Sequence, residues 1–406
     1  TSINYYMKVF VINSGSSSIK YQLIEMPQAT LVCSGLVERI GLTNATITHK
    51  KYTQSGETLV NETIQQLANH SEGLTAVAAL LVDAKWGVIN NPSEIKVVGH
   101  RVVHGGESFS ATTIVTAAVK AKIKSLFSLA PLHNPANLLG IEVAESIFTE
   151  ATQVAVFDTA FHQTMPPKAY RYALPNYLYE EHGIRAYGFH GTSHKYVSEK
   201  AVEYLQNKNA KIITIHLGNG CSMAAIDAGK CVDVSMGIGP INGLIMGTRS
   251  GDVDPSVIFH LAKELNFSLQ DINNMLNKQS GMQGLCGLSD MRDIKKAIND
   301  GNTAAKLAYD MYAYRIKKYI GMYAAVLNGI DALVFTAGVG ENDAAIRQLC
   351  CEKMDYLGIV IDEKLNETRT PGIRNISGAT SKTKILIVPT NEELEIAKQC
   401  FELIKQ

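Results

Sequence analysis

The sequence predicts an α/β protein made of two related halves, and three observations carry that expectation. Short apolar segments of strand length alternate with stretches of helical period along the 406 residues. Residues 9–25 read as strand, Asn-Ser-Gly-Ser-Ser-Ser turn, strand, and residues 212–227 read as strand, His-Leu-Gly-Asn-Gly-Cys-Ser turn, strand. One such hairpin falls in each half, so the halves are expected to be related units, although two unrelated hairpins would leave the same pattern.

The strand candidates, in order, are Lys8–Asn13, Ile19–Glu25, Ile95–Gly99, Gln153–Asp158, Ile212–His216, Ser222–Asp227, Ala332–Thr336 and Ile385–Pro389. A long amphipathic helix is expected from about Thr303 to Leu327, feeding the strand before Gly338. A last helix is expected to start at Thr390, because Glu393 three residues on completes a capping-box pattern. Residues 1–6 precede the first strand-like run and read as a tag or an alternative start, so they stay outside the fold argument.

Composition narrows the function classes. A hydrophobic share of 46% with 19% charge suits a chain with sizeable cores rather than a disordered one. Lys+Arg and Asp+Glu are equal at 38 each, which favours neither nucleic acid nor an anionic membrane as partner. No apolar run is long enough to span a bilayer, and the first residues lack the pattern of a secretory signal. Seven scattered cysteines without a CxxC pair read as reduced packing thiols, which places the protein in the cytoplasm.

The polar residues that interrupt this apolar frame point to chemistry. Asn13-Ser14-Gly15-Ser16-Ser17-Ser18-Ile19-Lys20 combines a glycine that permits positive φ, short hydroxyl donors, a turn able to form an anion nest, and a lysine. It suits phosphate, although no GxxxxGK[ST] occurs. His216-Leu217-Gly218-Asn219-Gly220 and Thr336-Ala337-Gly338-Val339-Gly340-Glu341-Asn342 are further glycine-bracketed strand ends, the latter leading into an expected helix whose N-terminus would favour negative charge. Gly99–Glu107, Pro131–Pro135, Phe157–His162, Gly188–His194 and Met246–Asp254 place Arg, His and Asp beside apolar strands. Such groups cost desolvation energy unless paired or functional, and they suit a carboxylate and a transferring phosphoryl group. His190 and His194 share the spacing of a zinc helix but lack its glutamate. Asp252 and Asp254 are Mg²⁺ candidates and equally a turn before Pro255. Glu392 and Glu393 are acids that also favour a helix N-terminus.

The strings NSGSSSIK, GHRVVHGGE, PLHNPAN, VAVFDTAFHQTMP, YGFHGTSH, HLGNG, MGTRSGDVDP, TAGVGEN and PTNEE, in this order from Met7 almost to the C-terminus, resemble the acetate kinase family. The resemblance implies two duplicated ribonuclease H-like α/β domains of the actin, Hsp70 and sugar kinase type around a nucleotide-binding cleft, in a homodimer. It implies an N-terminal domain of residues 7–158 plus 388–406 and a C-terminal domain of residues 159–387. The activity it implies is reversible, Mg²⁺-dependent transfer between ATP and acetate, giving acetyl phosphate and ADP, with Mn²⁺ as a substitute metal and propionate as the alternative acceptor.

Residue by residue, the resemblance assigns Asn13 and Glu392 to Mg²⁺, and Lys20 and Ser18 to the nucleotide phosphates. His216, Leu217, Gly218, Asn219 and Gly220 become the second phosphate loop. Asp290, Met291 and Arg292 with Gly338, Val339, Gly340, Glu341 and Asn342 line the adenosine site. Arg101 binds the acceptor carboxylate, and Val103, Leu132, Phe189 and Pro240 form the pocket for its methyl group. Asp158, His190 and Arg249 are catalytic, with His133 nearby. Asp158→Asn and Arg249→Ala are then expected to lower kcat far more than they raise KM for acetate.

The chain departs from the family pattern at residues 238–243, which read Ile-Gly-Pro-Ile-Asn-Gly, and at Ala337, where glycine is frequent. Relatives that prefer propionate tend to carry a smaller residue in place of Val103, so valine favours acetate. A chaperone-like module, a butyrate kinase and a metal hydrolase are the competing classes. The absence of length for a peptide-binding appendage, the intact Val103, Leu132 and Phe189 set, and the missing zinc-helix glutamate argue against them in turn.

Overall fold

The computed structural model describes residues 5–406, so Thr1–Asn4, within the stretch that reads as a tag or alternative start, lie outside it. Fourteen strands are described: β1 Met7–Ser14, β2 Ile19–Met26, β3 Thr30–Glu38, β4 Ala45–Tyr52, β5 Thr58–Gln65, β6 Ile95–Val102, β7 Thr113–Ile114, β8 Thr152–Phe157, β9 Lys211–Leu217, β10 Cys221–Asp227, β11 Lys230–Val234, β12 Ala332–Thr336, β13 Arg374–Asn375 and β14 Lys384–Ile387. The helices that bear on the site are, in chain order, α1 His70–Leu81, α2 Asn134–Ile147, α3 Gly191–Leu205, α4 Pro255–Glu264, α5 Met291–Asn299, α6 Thr303–Leu327, α7 Ala337–Asn342 and α8 Glu392–Ile404.

The chain divides into two compact units. The first runs up to Ala160 and takes back Asn391–Gln406; the second is Phe161–Thr390. The junctions between these units fall at 160/161 and 390/391. Asp158 donates its backbone N–H to Val102 and so stays with the first sheet, while the Thr390 hydroxyl bonds Ser193 and stays with the second unit.

The first unit holds an eight-stranded sheet in the order β5-β4-β3-β2-β1-β6-β8-β7, and the second a six-stranded sheet in the order β11-β10-β9-β12-β14-β13. Within them, β3-β2-β1-β6-β8 and β11-β10-β9-β12-β14 share one plan. An antiparallel meander (β1 to β3, β9 to β11) is followed on the other side of its first strand by two parallel strands. The repeat seen as two hairpins is thus a repeat of five strands in the same order and polarity.

The sequence of β1 explains its central place. Phe10 and Ile12 face one core, shared with Leu23, Leu74 of α1 and Val98; Val9 and Val11 face another, shared with Val97, Val156, Ile396 and Cys400. A strand buried on both faces needs a continuous apolar run, and Val9-Phe10-Val11-Ile12 supplies it. The second of these faces is closed by α8, so the last helix of the chain packs on the first strand. Strands β3 to β5 were not expected. β5 (TLVNETIQ) alternates exposed and half-buried residues and buries none, so it lacks the apolar signal that marks β1. All seven cysteines are free, and all but Cys286 are buried. Among the described residues no helix is long and apolar enough to cross a membrane.

Candidate functional site

In the first unit, β1 and β2 pair Asn13 with Lys20 and close at Gly15–Ser18, where the Gly15 N–H donates to the Ser18 carbonyl at 2.9 Å. Gly15 does not use the positive φ that its residue type permits. Close approach explains the glycine instead: a Cβ there would lie 2.8 Å from Ser18 Oγ. Asn13, Lys20, Arg101, Glu392 and Glu393 line a small cavity of about 90 Å³ with Val11 and Ile396. Lys20 forms an ion pair with Glu393.

Helix α8 delivers the two acids by a cap other than the expected one. Asn391, not Thr390, is the N-cap, and its side chain accepts from Leu394 N–H at 3.1 Å. The Thr390 hydroxyl instead bonds Ser193 at 2.8 Å. Glu392 and Glu393 therefore sit in the first turn, where the helix dipole favours acids. Burial raises the Glu392 carboxyl, and the nearby Asp158 and Glu393 carboxylates push the same way against Arg101.

Arg101 and Asp158 leave the ends of the adjacent parallel strands β6 and β8. Arg101 Nε donates to Asp158 Oδ1 at 2.9 Å and Nη2 to Oδ2 at 2.7 Å. Asp158 is 1% exposed, whereas the Arg101 side chain keeps 25% of its surface. The carboxylate raises Arg101 further above its usual range. One edge of the guanidinium is thereby fixed, and Nη1 makes no hydrogen bond to the described residues. That leaves a planar donor edge for an outside anion.

Two asparagines of α2, one turn apart, hold the segment that follows Arg101. Asn137 accepts from Val103 N–H at 3.0 Å and donates to the Ser14 carbonyl at 2.9 Å. Asn134 accepts from His104 N–H and donates to its carbonyl. The Asn137 amide thus ties the phosphate hairpin to the Val103 segment. Both asparagines lie inside the PLHNPAN string, yet no role was expected of them. Val103 is buried and Leu132 is 57% exposed. His133 precedes α2 and is exposed.

In the second unit, β9 and β10 close at Gly218–Gly220, with Gly218 N–H donating to the Gly220 carbonyl at 3.0 Å. His216 and Leu217 end β9, where the Leu217 side chain is buried. Gly218 and Asn219 open onto a cavity of about 660 Å³ whose lining includes Asp290, Met291, Arg292, Gly338, Val339 and Asn342. These are expected nucleotide contacts that the fold brings to one place. Lys295, Tyr312, Asp343 and Arg369 line it too, and no motif had marked them. Asp290 caps α5, and the hydrogen bonds of Arg292 hold its carboxyl down at about 2.

The expected loop after β12 is itself the short helix α7. Gly340 is buried within it, and its carbonyl accepts from Arg347 Nη1. Burial raises Glu341. Ala337 sits at φ 67, the left-handed region that glycine enters without cost. The frequent glycine of the family pattern has its physical reason there. Ala337→Gly should therefore raise the unfolding free energy by about 0.5–1 kcal/mol, read as a higher urea midpoint.

His190, at φ 56, turns the chain into α3. Its Nδ1 lies 2.8 Å from Ser222 Oγ, and its ring stacks on His216 at 4.2 Å between centroids. Phe189, buried beside it, gives its carbonyl to His162 Nε2–H. Arg249 donates from Nη1 to the Pro240 carbonyl at 2.8 Å, so the divergent 238–243 segment supplies a contact that orients this arginine. A Cβ on Gly220 would lie 2.4 Å from Arg249 Nη2 and 3.4 Å from His190 Cε1. The loop tip, Arg249 and His190 thus meet at a position where a Cβ would push the Arg249 guanidinium aside. Gly220→Ala is expected to lower kcat by roughly 10–100-fold through displacement of Arg249, measured by steady-state kinetics on a folded variant.

The remaining candidates are structural. Asp252 accepts from Gly243 N–H at 2.8 Å and from the Tyr319 hydroxyl at 2.6 Å, clamping the Arg249 loop to α6. Asp254 caps α4 through Ser256 N–H.

Comparison with known proteins agrees with this geometry. The Acetokinase family model matches residues 8–398. An acetate kinase of Flavobacterium johnsoniae is 57% identical over 399 residues, covering 98% of this chain and 100% of its own. The crystal structure of Porphyromonas gingivalis acetate kinase superposes with a TM-score of 0.92 at 47% identity, over 98% of this chain and 100% of that one. A propionate kinase from Francisella tularensis superposes with a TM-score of 0.90 at 42% identity, over 98% and 99%.

Proposed function

Because the chain belongs to the acetokinase family, we propose that Arg101 takes the acceptor carboxylate and that the 660 Å³ cavity of the second unit takes the nucleotide. The protein is a kinase that moves a phosphoryl group reversibly between ATP and acetate. The observation that carries the site reading is the Arg101 guanidinium, held along one edge by buried Asp158 and unclaimed at Nη1 among the described residues.

Acetate is already ionised at neutral pH, so the nucleophile needs no base. Asp158 fits that requirement, because both its oxygens are occupied by the guanidinium and its work is to orient Arg101. The difficulty of the reaction lies in bringing two anions together. Arg101 neutralises the acceptor, while Arg249 and the His190 ring stabilise charge on the transferring group. The Gly218–Gly220 tip contacts phosphate oxygens of the nucleotide.

The donor set beside Arg101 suits Mg²⁺. Asn13 offers an amide oxygen, and Glu392 a carboxylate in a surrounding of like charge that a cation would relieve. Mg²⁺ held there would neutralise phosphate charge during transfer, and Mn²⁺ would serve in its place. A homodimer is supported by exposed Leu307, Tyr314, Met322 and Val326 along α6, and a cytoplasmic setting by the free thiols.

Acetate is the preferred acid. Val103 is buried and held by Asn137, which limits the room beside the methyl group. One methylene changes discrimination by ~1–3 kcal/mol, so propionate is a poorer substrate, and Val103→Ala should move the kcat/KM ratio toward it. The test is acyl phosphate formation trapped as the hydroxamate, with acids from formate to butyrate. Acetate should give the highest kcat/KM; a higher value for propionate would overturn the preference.

A further inference from the structure

The buried polar groups behind His190 form a chain that the phosphoryl transfer itself leaves unused. Thr214 on β9 and Ser222 on β10 are buried on adjacent strands, and His194 on α3 lies between them. Thr214 Oγ1 is 2.6 Å from His194 Nδ1, His194 Nε2 is 2.7 Å from Ser222 Oγ, and Ser222 Oγ is 2.8 Å from His190 Nδ1.

The direction of the protons along this chain follows from counting donors. Each hydroxyl has one hydrogen to give, and each neutral imidazole has one donor and one acceptor nitrogen. His194 is neutral, because burial and then the neighbouring His162 and His216 rings push it well below its usual range. If the chain ran away from His190, His194 Nδ1–H would donate to Thr214. The buried Thr214 hydroxyl, which has no other side-chain partner among the described residues, would then lose its only acceptor. If it runs toward His190, every group is satisfied. Thr214 O–H donates to His194 Nδ1, His194 Nε2–H to Ser222, and Ser222 O–H to His190 Nδ1.

We propose that Ser222, backed by His194 and Thr214, is a positioning residue that fixes His190 as the Nε2–H tautomer. His190 Nδ1 is then an acceptor and its proton stands on Nε2. The kinase reading gives that N–H its role toward the transferring phosphoryl group, on a ring whose edge adjoins Gly220 of the loop tip. The role at the phosphoryl group rests on the kinase reading; the tautomer does not. His216, stacked on the same ring, and Arg249, which also adjoins Gly220, are the other charged or titratable groups of the second unit beside it.

The test is nitrogen-15 NMR of histidine-labelled full-length protein together with kinetics of Ser222→Ala and Ser222→Thr. The His190 signal, identified by its loss in His190→Gln, should show a protonated Nε2 and an acceptor-type Nδ1. Ser222→Ala should lower kcat by ~10–100-fold with KM for ATP and acetate within ~3-fold, and Ser222→Thr, which keeps the hydroxyl, should restore most of it. Thr214→Val, near-isosteric, should admit the other tautomer at His190. A proton on His190 Nδ1 in the parent protein overturns the proposal whether or not the variants fold. So does an unchanged kcat in folded Ser222→Ala. Correct tautomers in a protein that forms no acyl phosphate would instead contradict the kinase reading.

Discussion

Asp158→Asn should reduce kcat/KM for acetate by roughly 10²–10³-fold. Removing one partner of a buried ion pair costs about 3–5 kcal/mol, and each 1.36 kcal/mol is about a decade in rate. The lower part of that range applies, because the Arg101 side chain keeps 25% of its surface. The amide can accept from one guanidinium N–H, but its own NH₂ then faces the second one at the place of the 2.7 Å bond. Arg101 loses its fixed edge and turns toward Glu392, whose charge also acts on it. The sequence alone led to an effect concentrated in kcat. The bidentate pair adds a rise in KM for acetate, since the arginine proposed to hold the substrate is itself held by Asp158. Arg101→Lys should fail to replace it, because an ammonium cannot offer two parallel donors. Steady-state kinetics of the folded variants, varied in acetate, checks both components.

Arg249→Ala is expected to lower kcat by about 10³-fold or more while leaving KM for acetate within a few-fold, in line with the cost of removing a charge-stabilising arginine from phosphoryl transfer. Pro240 anchors Nη1, and the tight approach to Gly220 directs Nη2 at the loop tip. Burial lowers Arg249, so its charge stands in a poorly solvated place where it acts strongly on a nearby anion. Lysine at 249 should recover little, having no second nitrogen to bond Pro240 while facing the loop. Near-normal kcat in Arg249→Ala would remove this residue from the catalytic set.

Elements buried on both faces were legible in the sequence. β1 and β12 are continuous apolar runs, and α6 was placed at Thr303–Leu327 from its period. The meander of β3 to β5 was not, because β5 buries no residue and β3 and β4 bury only a few, such as Cys33, Val37 and Ile47. Caps were less legible than helices: Thr390 and Asn391 are both capping residues by type, and the tertiary bond from Thr390 to Ser193 decided between them. At the site, the residues with charge or a glycine signature were visible through their motifs. Asn137, Ser222 and Thr214 were not, since an asparagine or a hydroxyl on a regular element looks ordinary until the fold shows which two groups it joins. Ala337 shows the reverse case, in which a departure from the family pattern became intelligible once its φ of 67 was known.

In direct transfer, the carboxylate at Arg101 attacks the terminal phosphorus of ATP in a single in-line step. The most direct measurement is the stereochemical course at that phosphorus, using ATP whose γ-phosphoryl group is made chiral by oxygen isotopes and analysing the acetyl phosphate formed. One direct transfer predicts inversion of configuration. Retention would mean two successive transfers through a phosphorylated side chain, and would contradict a mechanism in which Arg101, Asp158 and Arg249 serve one direct transfer.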